Sequence, residues 1–152
     1  EEELARYDVV FVNCRPPGQT ELGALQDFVA RGGSVYFSDL TLPWVETLWP
    51  KRIKASPDRG TKGVQTARVD DAELKAALGK EQLELKFNLG GWRHAATPGA
   101  GQRVLLADAK SGVPLMLLFD EEKGRVGFTS FHYTAQPPDD TVLSLIFFLT
   151  RL

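Results

Sequence analysis

The chain has 152 residues, 43% of them hydrophobic and 25% charged, with a formal charge of −2. That length supports one domain with a true core, 1–152, and the composition excludes a disordered or fibrous chain. Lys and Arg are scattered, with only Lys51, Arg52 and Lys54 close together, which excludes the basic face of a nucleic-acid binder. A single cysteine, Cys14, excludes an intramolecular disulfide and any thiol cluster for zinc.

Asp8 to Cys14 is a nearly continuous β-branched and aromatic run, the pattern of a central strand covered on both faces. Thr20 is placed to cap a helix carrying Leu22, Leu25, Phe28 and Val29, which Gly32 and Gly33 end. Ser34 to Asp39 reads as a second strand, so strand, helix and strand form a parallel crossover unit. Pro43 and Pro50 bracket a short helix, Leu42 to Trp49, expected to lie over the sheet edge as a lid. Ser56 to Gly63 is a polar loop punctuated by Gly and Pro.

Asp70 and Glu73 have capping-box spacing for a helix from Asp71 to Leu78, stopped by Gly79. Leu83, Leu85 and Phe87 alternate with Glu84 and Lys86, a strand with one wet face. Arg103 to Ala107, Pro114 to Phe119 and Arg125 to Phe131 continue the strands, with a hairpin turn over Glu121 to Gly124. Asp139 or Asp140 caps a terminal helix, Val142 to Leu152, apolar nearly all round. The longest apolar run, Leu145 to Leu149, is far short of the roughly 20 residues a membrane-spanning helix needs. Glu1 to Arg6 has neither the basic nor the apolar region of a secretion signal. The compartment stays open, with the cytoplasm as the default.

Three stretches carry a family resemblance: Tyr7 to Cys14, Leu25 to Tyr36, and Gly124 to His132. Through them the chain resembles the class I glutamine amidotransferase-like superfamily, within it the ThuA-like and other nucleophile-less branches. Similar domains look like those in gliding and intraflagellar-transport proteins and in bacterial proteins that join them to von Willebrand A modules. The resemblance implies a flavodoxin-like three-layer α/β sandwich with a mostly parallel central sheet and an antiparallel extension. Such domains open with a strand and a helix ahead of the Tyr-Asp strand, a unit expected to be missing here, which would leave a sheet edge open to a partner. Where the family places its cysteine on a sharp strand-to-helix turn flanked by glycines, this chain reads Tyr36 to Thr41, with neither. His132 keeps the place of the family's catalytic histidine.

Open parallel sheets bind ligands beyond the carboxyl ends of their strands, which makes Asn13, Cys14, Ser38, Asp39 and His132 the candidate pocket. A nucleophilic reading takes Cys14 or Ser38 with His132 as base and Asp39 as its orienter. The competing reading has Cys14 as a small buried hydrophobe and His132 bonded to a loop carbonyl or to Asp39. His94 reads as a surface strand residue. Asp39 and His132 alone are too few for a metal, since catalytic zinc sites use three protein ligands. Trp44, Trp49 and Trp92 form either an aromatic interface or part of the core. Gly90-Gly91 and Gly99 to Gly101 have no helix behind them and read as turns.

The expected function is therefore a non-catalytic amidotransferase-like domain, a protein-interaction or small-ligand-binding module of a larger protein or complex. The alternative is a small hydrolase or amidotransferase using Cys14 or Ser38 with His132. No cofactor, metal, nucleic acid or membrane span is expected. A protein partner or parent-chain module is, and self-association through an exposed sheet edge is a further expectation.

Overall fold

The computed structural model describes residues 4–14, 18–96, 99, 101–136, 144 and 147–151. Seven strands form one sheet: β1 (Val9–Asn13), β2 (Ser34–Ser38), β3 (Gly63–Val69), β4 (Gln82–Phe87), β5 (Gln102–Asp108), β6 (Pro114–Glu121) and β7 (Gly124–Thr129). Their order across the sheet is β1-β2-β7-β6-β5-β3-β4. β1, β2 and β7 pair in parallel, and every pairing from β7 to β4 is antiparallel. Followed across those pairings, β1, β2, β7, β5 and β4 run one way, and only β6 and β3 run the other. The sheet is thus mostly parallel in direction, with an antiparallel extension.

Helices cover both faces, giving a flavodoxin-like sandwich. On one side α1 (Gln19–Ala30) and α2 (Leu42–Leu48) bury Phe28, Val29 and Val45 against Val35, Phe37, Phe119, Val126 and Phe128. On the other, Leu74 of α3 (Ala72–Leu78) and Phe148 pack with Trp92 over Leu85, Phe87, Leu106, Met116 and Leu118. Removing each such side chain from water is worth about 1.5–3 kcal/mol, so the two aromatic and aliphatic layers hold the sheet between them.

Local chemistry explains the element ends. α1 stops where Gly32 takes φ +113°, a conformation open to glycine because it lacks Cβ. Gly124 opens β7 under the end of α1, where a Cβ would overlap the carbonyl oxygens of Gly33 and Val29. α3 starts at Asp71, whose carboxylate accepts the Leu74 N–H at 2.8 Å, and ends at Gly79 with φ +64°.

Several expectations need correction. β1 is an edge strand, not a central one, and Phe11 stands 49% exposed on the face where no described helix lies over it. A run of β-branched residues marks a strand without saying what covers its second face. β3 escaped the sequence reading because Ala67 and Val69 are its only buried apolar residues, too weak an alternation to register. The cap of α3 is Asp71 and not Asp70, which instead pairs with Arg68. Gly18, not Thr20, precedes α1, its N–H bonded to Glu21 at 2.6 Å. Of the expected terminal helix, Ser144 and Phe147 to Leu149 are helical, while its caps, Asp139 and Asp140, lie outside the described residues. Among the described residues no helix is long and apolar enough to cross a membrane.

Candidate functional site

Because β1, β2 and β7 are parallel neighbours, their carboxyl ends meet on one rim. Cys14 follows β1, Asp39 follows β2, and His132 follows β7 by three residues. The side chains converge: Cys14 Sγ lies 3.9 Å from Asp39 Oδ2, and His132 Nε2 lies 3.4 Å from the same oxygen. All three donor atoms fall within 4.8 Å of one another.

Asp39 sits on the sharp turn between β2 and the single 3-10 turn (Asp39–Thr41) that leads into α2. Its φ is +48°, a left-handed backbone that costs a non-glycine residue of order 1–3 kcal/mol and persists only where its surroundings hold it. The sharp strand-to-helix bend is therefore present without flanking glycines. What the turn presents is a carboxylate. That carboxylate is almost wholly buried, and its Oδ1 accepts the Arg93 backbone N–H at 3.0 Å. Burial pushes its pKa up, only partly offset by the Arg93 N–H and by His132.

Cys14 also has a positive φ, +51°. Burial, then the negative charge of Asp39, push its thiol pKa above the ordinary value. A thiol so placed is less ionised at neutral pH than a free cysteine, the opposite of nucleophile activation. His132 Nδ1 lies 3.4 Å from Asn88 Oδ1. An amide oxygen there can accept a proton from Nδ1, the tautomer that leaves Nε2 without one. Nε2 is buried and makes no hydrogen bond among the described residues, its approach to Asp39 being close but misaligned.

Beside this cluster a cavity of about 280 Å³ opens at the carboxyl ends of β1 and β2, on the face that bears Phe11 and Tyr36. Phe11, Asn13, Tyr36, Ser38, His132 and Tyr133 line it. Ser38 is fully buried, and among the described residues its Oγ has only the Tyr36 hydroxyl near it, outside ordinary hydrogen-bond geometry. Tyr36 donates its hydroxyl proton to Thr129 Oγ1 at 2.7 Å, since Thr129 spends its own proton on the Phe131 carbonyl at 2.9 Å. Burial pushes Tyr36 up to about 12, so it remains a neutral hydroxyl at the pocket floor.

The five residues expected in the pocket thus come to one rim, Asn13, Ser38 and His132 on the cavity wall and Cys14 and Asp39 against it. Asn88 and the Arg93 N–H were not anticipated, because both stand on segments that sequence reading had no means of carrying over to β2 and β7. The clue lay in direction: β4 ends on the same side of the sheet as β7, and Gln136 fastens the segment after His132 to it by bonds of 2.8 Å to the Lys86 N–H and carbonyl. Trp49 and Trp92 are buried in the two core clusters and Trp44 is half-buried, so two of the three tryptophans belong to the core. His94 is also buried, in a loop rather than on a surface strand.

A larger, shallow groove of about 800 Å³ runs past Arg59, Trp92, His94, Asp108 and Lys110. Its polar groups are mostly committed to local turns: Asp108 accepts the Lys110 and Ser111 N–H groups, and the Trp92 indole donates to the Thr61 carbonyl at 3.0 Å. The smaller cavity is the better site, because convergent buried polar atoms adjoin it.

No protein-family model matches the chain, and no curated protein matches it in sequence. Solved structures share its fold. An IFT52 N-terminal domain is 12% identical, with a TM-score of 0.68 over 98% of this chain and 79% of that one. A protein described as a GMP synthase component from Thermoplasma acidophilum is 9% identical, with a TM-score of 0.63 over 99% and 80% of the two chains. An exo-β-1,4-mannosidase from an Opitutaceae bacterium, strain TAV5, is 17% identical, with a TM-score of 0.59 over 93% of this chain. This chain spans 23% of the length of that mannosidase. At such identities the likeness is one of fold, the flavodoxin-like α/β sandwich described above.

Proposed function

We propose that the domain is a non-catalytic, amidotransferase-like binding module of a larger protein or complex, in the manner of the nucleophile-less, ThuA-like branch. Its small-ligand site is the cavity at the carboxyl ends of β1 and β2. The observation that carries this reading is Asp39. The strained strand-to-helix turn, the place from which an amidotransferase presents its nucleophile, holds a buried carboxylate tied to the Arg93 N–H. With a carboxylate facing Nε2, His132 has no hydroxyl or thiol in line to deprotonate.

Two features weigh against acyl transfer through the other candidates. The Cys14 thiol is pushed toward its protonated form, and Ser38 Oγ is fully buried. Binding, by contrast, needs only what the cavity offers: an apolar floor of Phe11 and Tyr36, with Asn13 and His132 as orienting polar groups. Membership of a larger assembly is supported by the way this fold occurs as 23% of the mannosidase chain.

Saturation-transfer NMR with a library of small polar fragments tests the site. Fragments should bind the parent and lose that signal in Asn13→Trp, which plugs the cavity from an exposed position without touching the core. A folded Asn13→Trp variant that binds the same fragments equally well would remove the proposed site.

A further inference from the structure

We infer that Cys14, Asp39 and His132 form a binding site for a thiophilic divalent cation of the zinc class. Asp39 and His132 alone supply two ligands, and the end of β1 brings the third. Sulfur, carboxylate oxygen and imidazole nitrogen are the donor types such a cation takes, and three protein ligands with one open position is the arrangement of reactive zinc sites.

The spacing fits. Ligand atoms around a tetrahedral zinc stand about 3.3–3.5 Å apart, given metal bonds of about 2.0–2.3 Å. His132 Nε2 and Asp39 Oδ2 are 3.4 Å apart, and Cys14 Sγ and the same oxygen 3.9 Å. The Nε2 lone pair is buried without a hydrogen bond and faces a buried carboxylate. A cation seated between these two atoms would bond to both.

The surroundings hold the ligands in the required state. Asn88 is placed to accept the Nδ1 proton, the arrangement in which Nε2 is free to ligate, and the Arg93 N–H on Oδ1 leaves Oδ2 to the ion. On binding, the Cys14 thiol releases its proton to solvent and the Sγ–metal bond forms. Thiolate, carboxylate, neutral imidazole and a dication sum to zero charge, a favourable balance for a buried site. Because His132 also lines the cavity, the open position adjoins it, and the inference deepens the binding reading by giving the ligand an ion to coordinate.

Chelator-treated protein is dialysed against zinc and separately against cobalt, with bound metal counted by mass spectrometry. One equivalent should bind, and the cobalt form should show a thiolate-to-cobalt charge-transfer band with tetrahedral visible absorption. Cys14→Ser should lose that band. His132→Gln should weaken binding, as should Asn88→Ala, an exposed position that spares the core, by about ten-fold or more. Sub-stoichiometric binding, or binding of one equivalent without the thiolate band and unchanged in all three variants, would overturn the inference. Fragment binding that persists in metal-free protein would then leave the pocket reading standing, whereas metal uptake without fragment binding would remove the pocket alone.

Discussion

Asp39 Oδ2 and His132 Nε2 stand 3.4 Å apart with no hydrogen bond between them, held there by the direct pairing of β2 with β7. The carboxylate is therefore an electrostatic burden on the fold, and its removal has a definite signature.

Asp39→Asn keeps an acceptor for the Arg93 N–H but removes the charge. A carboxyl whose folded pKa is raised contributes stability that is fully present below its ordinary value of 3.8 and is lost as pH rises through the folded value. In chelator-treated protein, urea melts should find Asp39→Asn at least as stable as the parent at neutral pH, with the difference closing toward pH 3.8. A parent that is more stable than the variant at neutral pH would show the pairing with His132 to be net favourable.

The same charge governs Cys14. Iodoacetamide labelling of metal-free protein should be slower than for a free cysteine at neutral pH and should accelerate as pH rises past the ordinary thiol value of 9.0. Asp39→Asn should speed labelling at fixed pH by removing the charge that disfavours the thiolate. Equal rates in parent and variant would mean that burial alone holds the thiol up.

Phe128 is fully buried in the centre of β7, and Phe128→Ala should cost about 3–5 kcal/mol in urea unfolding. Gly124→Ala should cost about 1–3 kcal/mol by a different route, since its methyl would press on two backbone carbonyls that cannot rotate away. Parent-like midpoints would contradict this account of how α1 sits on β7.

Asp71 accepts the Leu74 N–H and two bonds from Arg103, at 2.5 and 3.0 Å. Burial pushes its carboxyl up, but the Arg103 and Leu74 hydrogen bonds outweigh that and leave it below 3.8. Asp71→Ala should cost about 0.5–2 kcal/mol at neutral pH. That cost is present above 3.8 and should fade as pH falls through the depressed folded value, the reverse of the Asp39 profile. A cost independent of pH would mean that the charge of Asp71 is not what stabilises the start of α3.

The sequence made the parallel unit legible because Gly32-Gly33 ends α1 between two apolar runs, each of which can only be a strand. The convergence of Asn13, Cys14, Ser38, Asp39 and His132 was legible for the same reason: parallel neighbours share a carboxyl rim. The coverage of β1 was not, since Phe11 looks the same in sequence whether or not a helix lies over it. Nor was the bend at Asp39, which the contacts of its carboxylate hold in place without the flanking glycines that would advertise it. Asn88 was out of reach because its link to His132 runs through the antiparallel half of the sheet, whose β3 was itself too weakly patterned to read.

The central claim, that the rim binds without turning over, is tested most directly by one titration. Isotope-labelled, chelator-treated parent is titrated with small amides, esters and carboxylic acids, and the same samples are read again after prolonged incubation. The account predicts saturable shifts confined to Asn13, Tyr36, Ser38, His132 and Tyr133, with the ligand resonances unaltered at the end. Product resonances that grow with time in the parent and disappear in a folded His132→Ala variant would contradict it and make the domain a hydrolase.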